Sequence, residues 1–301
     1  MKINARIPLS LVCIAMIHAC QQPPGKPGLI SREENRAVFD SIRNQMHLCP
    51  GKWRPLFNSE QIFWVSPPWP SSEYIYVDFP EAIFVDGMPA YLSHVSAVLP
   101  TLYNYKLPKV QWKERDGEFY YIRILGNYMD FGGEVTRLDR NIAGMKLWIT
   151  NKTDSVMRNI TLQTCGYLYP IKEFSQGTNA NKFIHTPDSG WVSLDRLWPP
   201  KPHGFAEKGT YRIGWRSGLA LSDLPFIIAA SSSGDHLVAM TWFDHTLSFI
   251  GNTRHPCFHA DPFFPDLKPG ERHTIEGAFI FFEGSLEDFE QYLIERYPEY
   301  F

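Results

Sequence analysis

From residue 60 to residue 285 the chain is cut into short segments in which apolar and polar side chains alternate, with turn residues between them. A period of two is the signature of a half-buried strand, and its recurrence at short spacing leaves no room for crossover helices. Residues 74–79 (YIYVDF) alternate and are rich in aromatics. Residues 82–85, then Asp86-Gly87, then 88–92 read as a hairpin closed by a two-residue turn. Further strands are expected at 118–125, 132–138, 145–150, 159–165, 225–230, 236–242 and 273–282, with turn chemistry at Asn151-Lys152-Thr153-Asp154. No repeat of fixed period is visible. The pattern argues against βαβ units and predicts an all-β fold, a sandwich or a barrel.

Helical periodicity is confined to the two ends. Ser31-Arg32-Glu33-Glu34 is a capping box, and Val38, Phe39, Ile42 and Met46 follow at helical spacing. A helix is expected over 32–47, stopped by Cys49-Pro50-Gly51. A last helix starts at Ser285, buries Leu286, Phe289, Leu293 and Tyr297, and ends at Pro298. The segment 171–210 is long, polar and poor in strand signals, and is expected to be a functional loop. Hydrophobic residues make up 44% of the 301 and charged residues 20%, enough apolar surface for a packed core. The formal net charge of −3 excludes a broadly basic nucleic-acid binder.

The first twenty residues read as an address. Lys2 and Arg6 precede an apolar run over 7–19, which is too short for a bilayer and suits a signal peptide. It ends Ile17-His18-Ala19-Cys20, similar to a bacterial lipobox, so Cys20 is expected to carry lipid. Residues 1–19 are then a lipoprotein signal peptide, 20–30 a tether, and 31–301 a single β-sandwich domain with a helix at each end. Gln21 after the cysteine resembles outer-membrane sorting in Gram-negative bacteria. The expected location is the bacterial cell envelope, with membrane contact through the lipid anchor only. Cys49, Cys165 and Cys257 remain, enough for one disulfide at most. The absence of a CxxC pair argues against a thiolate zinc site.

Two stretches carry a resemblance. One is Gly144-Met145-Lys146-Leu147-Trp148-Ile149-Thr150-Asn151-Lys152, followed by Asn159-Ile160-Thr161-Leu162; the other is Asp266-Leu267-Lys268-Pro269-Gly270-Glu271 leading into residues 274–282. Both resemble the large two-sheet carbohydrate-active proteins of the galactose-mutarotase-like supersandwich type. Cys257-x-His259-x-Asp261-Pro262 is similar to a segment of exported bacterial lipoproteins. The resemblance implies a supersandwich and, by analogy, a glycan or oligosaccharide bound on its concave sheet face.

The densest polar cluster is late: Asp235, His236, Asp244, His245, Arg254, His255, His259, Asp261 and His273. Three readings stand for it. As a sugar site, His255, His259, Asp261 and Asp244 share proton transfer, because an imidazole titrates near working pH. Asn252 and Arg254 then bind hydroxyls or a carboxylate, and Trp242 or Trp215 offers a stacking face. As a metal site, His255, His259 and Asp261 supply ligands from one strand face. As a structural cluster, the same residues cap turns. Arg216 beside Trp215, and Arg137 near Gly132-Gly133, are further candidates for an acidic sugar. Trp64, Trp69, Trp191 and Trp198 are candidates for an aromatic platform. No G-x-S-x-G, P-loop or G-x-G-x-x-G motif is present, so no cofactor is implied. The leading expectation is an exported, lipid-anchored carbohydrate-active protein that binds or processes a glycan, possible enzyme classes being hydrolase, lyase or epimerase. The alternatives are a non-catalytic envelope or glycan-capture lipoprotein, and a metal-dependent enzyme.

Overall fold

Strands that alternate must hide one face, and among the described residues they do so by pairing two sheets of nine strands each. The computed structural model describes residues 46–54, 59–71, 73–94, 107–197, 211–213 and 221–301. The first sheet runs β1 (Leu48–Gly51), β2 (Ile62–Val65), β3 (Ile75–Val85), β9 (Ile160–Tyr167), β17 (Cys257–Phe264), β16 (Thr246–Asn252), β12 (Tyr211–Ile213), β13 (Leu221–Ser222), with β4 (Met88–Leu92) on β3. The second runs β11 (Gly190–Ser193), β10 (Lys182–Thr186), β14 (Ile227–Ala230), β15 (His236–Thr241), β18 (Arg272–Glu283), β8 (Ile142–Asn151), β7 (Met129–Asp139), β6 (Glu118–Leu125), β5 (Lys113–Arg115). Pairing is antiparallel except between β12 and β16. The all-β two-sheet sandwich is therefore the observed fold.

The core lies between the sheets. Phe63, Val77, Phe79, Leu162 and Phe258 point inward from the first sheet, and Phe131, Leu147, Ile149, Phe279 and Phe281 from the second. Phe258 meets Phe279 edge-on at 5.8 Å, and Phe79 stacks on Trp242 at 6.0 Å. Asp86 and Gly87 close the β3–β4 hairpin with φ of 50° and 75°, as a mirror-image turn requires.

The outer faces differ. Ile142, Ile228, Leu237, Ala239 and Ile280 of the second sheet are covered by the C-terminal helix α1 (Leu286–Arg296) through Phe289 and Leu293. That helix begins where expected: the Asp288 amide donates to Ser285 Oγ at 3.2 Å and the Ser285 amide to Asp288 Oδ2 at 3.0 Å. The outer face of the first sheet carries Cys49, Ile62, Trp64, Tyr74 and Tyr76, and beside them a polar cluster.

Three expectations are corrected. Residues 32–45 of the N-terminal helix lie outside the described residues, as do the leader, Cys20 and the tether. Met46 and His47 carry no helix, and Cys49-Pro50-Gly51 is no helix stop but part of edge strand β1, where Cys49 faces Trp64. The expected strands 74–79 and 82–85 merge, from Ile75 on, into one strand, β3, interrupted by a register shift between Asp78 and Ala82. Within the expected loop 171–210, β10 and β11 pair and add an edge to the second sheet, a case of strand pairing overriding weak local preference. Residues 198–210 lie outside the described residues. Cys49, Cys165 and Cys257 are free and buried. Among the described residues no helix is long and apolar enough to cross a membrane.

Trp69 is held in this core by a clamp: its Nε1 donates to Glu173 Oε1 at 2.8 Å, and its ring stacks on His236 at 4.1 Å. It is no platform. Phe289→Ala should uncover the second sheet and cost about 3–5 kcal/mol in urea unfolding. A loss below about 1 kcal/mol would show that α1 does not seal that face.

Candidate functional site

The site follows from register. Asp78 on β3 sits opposite Cys165 on β9, and Cys165 opposite His259 on β17, so the three lie side by side across the centre of the first sheet. Their neighbours Val77, Phe79, Phe258 and Ala260 point into the core, so alternation turns this row outward. The next row along reads Trp64, Tyr76, Tyr167, Cys257, Asn252. The shift in β3 has a chemical consequence. Residues 78 and 81 of a regular strand face opposite ways, but the bulge brings Asp78 and Glu81 to the same side. The Ser93 amide donates to the Glu81 carbonyl at 2.8 Å, which places His94 beside them.

Arg54 is the hub. Its Nη2 donates to Asp78 Oδ2 at 2.7 Å and its Nε to Glu60 Oε1 at 2.5 Å. Its guanidinium lies 4.1 Å above the Trp53 ring. Ser93 Oγ donates to Asp78 Oδ2 at 2.6 Å. Burial pushes the Asp78 carboxyl well up, against the pull of Arg54, and raises Glu60 in the same way. The second oxygen of Asp78, Oδ1, is buried with no hydrogen-bond partner among the described residues.

Glu81 bridges two histidines. It lies 3.5 Å from His94 Nδ1 and 3.9 Å from His259 Nδ1. Burial and then the Arg54 charge lower His94 to about 4. His259 moves the other way: burial opposes its charge, and Asp261 and Cys257 overcome that and raise it. Two imidazoles pushed apart are a set of groups arranged for acid–base work. His94 is 41% exposed at its side chain and Glu81 14%, whereas His259 and Asp261 lie beneath them, nearly sealed. An aromatic apron borders the cluster. Trp53 stacks on Tyr167 at 4.3 Å, and Tyr167 on Tyr169 at 6.0 Å, with Tyr169 well exposed.

Two groups have donor atoms within 4.8 Å of one another: Asp78, Glu81 and His94, and Cys165, Cys257 and His259. Arg54 already occupies the Asp78 carboxylate, and its positive charge disfavours a cation in the first group. In the second, Cys257 Sγ lies 3.6 Å from His259 Nε2, and the Cys165 thiol beside it lowers Cys257 while Cys165 rises.

The structure brings His259 and Asp261 together, with Nδ1 and Oδ1 3.4 Å apart, and separates the other expected acid–base residues from them. His255 is exposed in the β16–β17 turn, two residues before β17 begins, so it cannot join His259 and Asp261 as a ligand on the strand face; Cys257 stands there instead. Asp244 is exposed on the short turn Phe243–His245, whose Phe243 packs on Tyr297 and Tyr300 near the C-terminus. Trp242 is fully buried against Phe79 and has no face for a sugar. Asn252 turns its Oδ1 to the amides of Arg254 and His255, at 2.9 and 3.3 Å, and so caps its own turn. Arg254 is exposed on that turn, and the Leu168 amide bonds to Pro256 there, so it borders the Tyr167–Tyr169 apron. Arg137 is exposed near the end of β7 in the other sheet. Trp215, Arg216 and Trp198 lie outside the described residues. Sequence reasoning missed Asp78, Glu81, Arg54 and His94. The visible signal was an acidic pair three apart around Phe79-Pro80, a spacing that a regular strand would split between two faces.

The lowered His94 has a defined effect on stability. The folded state disfavours its protonated form, so this contribution is complete above about pH 6.5 and is lost as pH falls toward about 4. His94→Gln should flatten the fall in urea midpoint between those values relative to the parent; an unchanged slope would show that burial and the Arg54 charge do not hold His94 neutral.

No family model and no curated protein matches the chain. Among solved structures, the GalM/aldose epimerase homologue from C. elegans is 9% identical with a TM-score of 0.37, over 80% of this chain and 97% of its own. A mutant of the heparan sulfate lyase HepC from Pedobacter heparinus is 8% identical with a TM-score of 0.37, over 92% of this chain and 46% of its own. A candidate kojibiose phosphorylase from the human microbiome is 9% identical with a TM-score of 0.39, over 85% of this chain; the chain spans 29% of its length. These overlaps are shallow and assign neither a family nor an activity.

Proposed function

We propose that this protein binds and processes a glycan on the outer face of its first sheet. The observation that carries the reading is the meeting, around Arg54, of an aromatic stack and an accessible acid–base pair. Tyr169, at the exposed end of the Trp53–Tyr167–Tyr169 stack, offers a flat apolar ring to the C–H face of a sugar. Glu81 and neutral His94 stand where a hydroxyl or ring oxygen would exchange a proton, and Arg54, held from beneath by the buried Asp78, binds its neighbours. Asp261 and His259 position Glu81 from beneath. Convergence of titratable groups beside the apron favours an enzyme over the capture lipoprotein, for which isolated exposed aromatics would suffice.

A panel of neutral, acidic and sulfated glycans tests this by thermal unfolding. A ligand at 100 times its Kd should add about 2.7 kcal/mol. Trp53→Ala should abolish the shift. Glu81→Gln should keep it and lose turnover about 10²–10⁴-fold. No shift with any class would overturn the reading.

The export route is a proposal of the same standing. The apolar run over 7–19 and the Ile17-His18-Ala19-Cys20 sequence support a lipid anchor at Cys20 in the bacterial envelope, with outer-membrane sorting. Cys20→Ser should move the protein from the membrane fraction to the soluble one. Unchanged fractionation would exclude the anchor.

A further inference from the structure

Beneath the sugar face lies a second constellation, of which the proposed acid–base chemistry uses only His259, and only to position Glu81. We propose that Cys165, Cys257 and His259 bind one thiophilic cation, zinc or copper(I).

The donors are carried by strands. His259 and Cys165 are directly paired across β17 and β9, and Cys257 lies two residues before His259, on the same face. The three donor atoms lie within 4.8 Å of one another and are buried. Cys257 Sγ and His259 Nε2 are 3.6 Å apart. A cation about 2.3 Å from sulfur and about 2.0–2.1 Å from nitrogen, at a tetrahedral angle, holds those atoms about 3.5 Å apart. The observed separation is that edge with little or no rearrangement.

The outer shell supplies the independent observation. His259 turns Nε2 to the sulfurs, and its other nitrogen, Nδ1, is 3.4 Å from Asp261 Oδ1 and 3.9 Å from Glu81 Oε2. Asp261 in turn accepts the Thr164 amide at 3.1 Å. A metal-bound imidazole commonly hands its second N–H to a carboxylate, which fixes the ring and strengthens the ligand. Two sulfurs and one imidazole select zinc or copper(I) over calcium or magnesium, which take oxygen. Three protein donors complete a trigonal copper(I) set and leave zinc one further place. Binding releases the protons that the thiols and Nε2 carry, so affinity rises with pH. This set replaces the one expected from sequence. His255 is off the strand, Asp261 backs the imidazole and does not bind the ion, and two cysteines far apart in the chain do the work of a CxxC pair.

The test is the purified protein, stripped with chelator and titrated with cobalt(II) as a spectroscopic stand-in for zinc, with elemental analysis of the unstripped protein. One equivalent of zinc or copper per chain is expected, with a thiolate-to-cobalt charge-transfer band. Cys165→Ser and Cys257→Ser should each remove much of that band, and Cys49→Ser should leave it unchanged. Asp261→Asn should weaken affinity about 10–100-fold in a folded protein, as read by circular dichroism. Three results would overturn the site: no metal bound, a band that survives both serine variants, or a Cys165–Cys257 disulfide peptide in non-reduced mass spectra. Glycan shifts measured on the stripped protein report on the sugar reading separately.

Discussion

Side chains on a strand point alternately to its two faces, and the three central strands of the first sheet must serve both. Val77, Phe79, Leu162, Phe258 and Ala260 build the inter-sheet core. The residues between them, Asp78, Cys165, His259 and Asp261, are thereby committed to the opposite face, whatever their chemistry. The polar row is a geometric consequence of packing Phe79 and Phe258 against Trp242 and Phe279. A one-residue slip of β17 would exchange the two sets and bury charge in the core.

Such a row is costly to hold. Removing a carboxylate from water is unfavourable unless a partner replaces the lost hydration, and truncating one member of a buried pair typically costs about 3–5 kcal/mol. Arg54 answers this for both Asp78 and Glu60, and Ser93 adds a hydroxyl. Asp261 is answered by the Thr164 amide, at the point where Pro262 on β17 has no N–H to offer the ladder. The same contacts that make the cluster tolerable also orient it. Glu81 ends up between a neutral exposed imidazole and a buried one whose protonation Asp261 and Cys257 favour, and the aromatic stack ends up beside the guanidinium.

The two outer faces of the sandwich have different fates for a simple reason. The second sheet presents Ile228, Leu237, Ala239 and Ile280 outward, and an amphipathic helix with Phe289 and Leu293 is the nearest segment able to cover them. The first sheet presents aromatic and titratable groups, which pack against each other and against Trp53, Arg54 and Glu60.

Fold class was legible because period-two alternation and turn pairs such as Asp86-Gly87 are local: the hairpin, most strands and the Ser285 cap form where the residues alone place them. The site was only half legible. Alternation along β17 puts His259 and Asp261 on one face from sequence alone, and the late cluster drew attention to them. Asp244, His255 and Trp242 shared that cluster in sequence but not in space, because strand ends and sheet faces cut it. Asp78, Glu81, Arg54, His94 and Cys165 are contributed by distant segments, and a bulge in β3 is needed to align two of them. Sequence by itself determined which residues alternate and therefore which side of a strand each occupies. Tertiary structure decided which strands became neighbours and in what register, because cross-strand pairing joins residues that no local spacing relates.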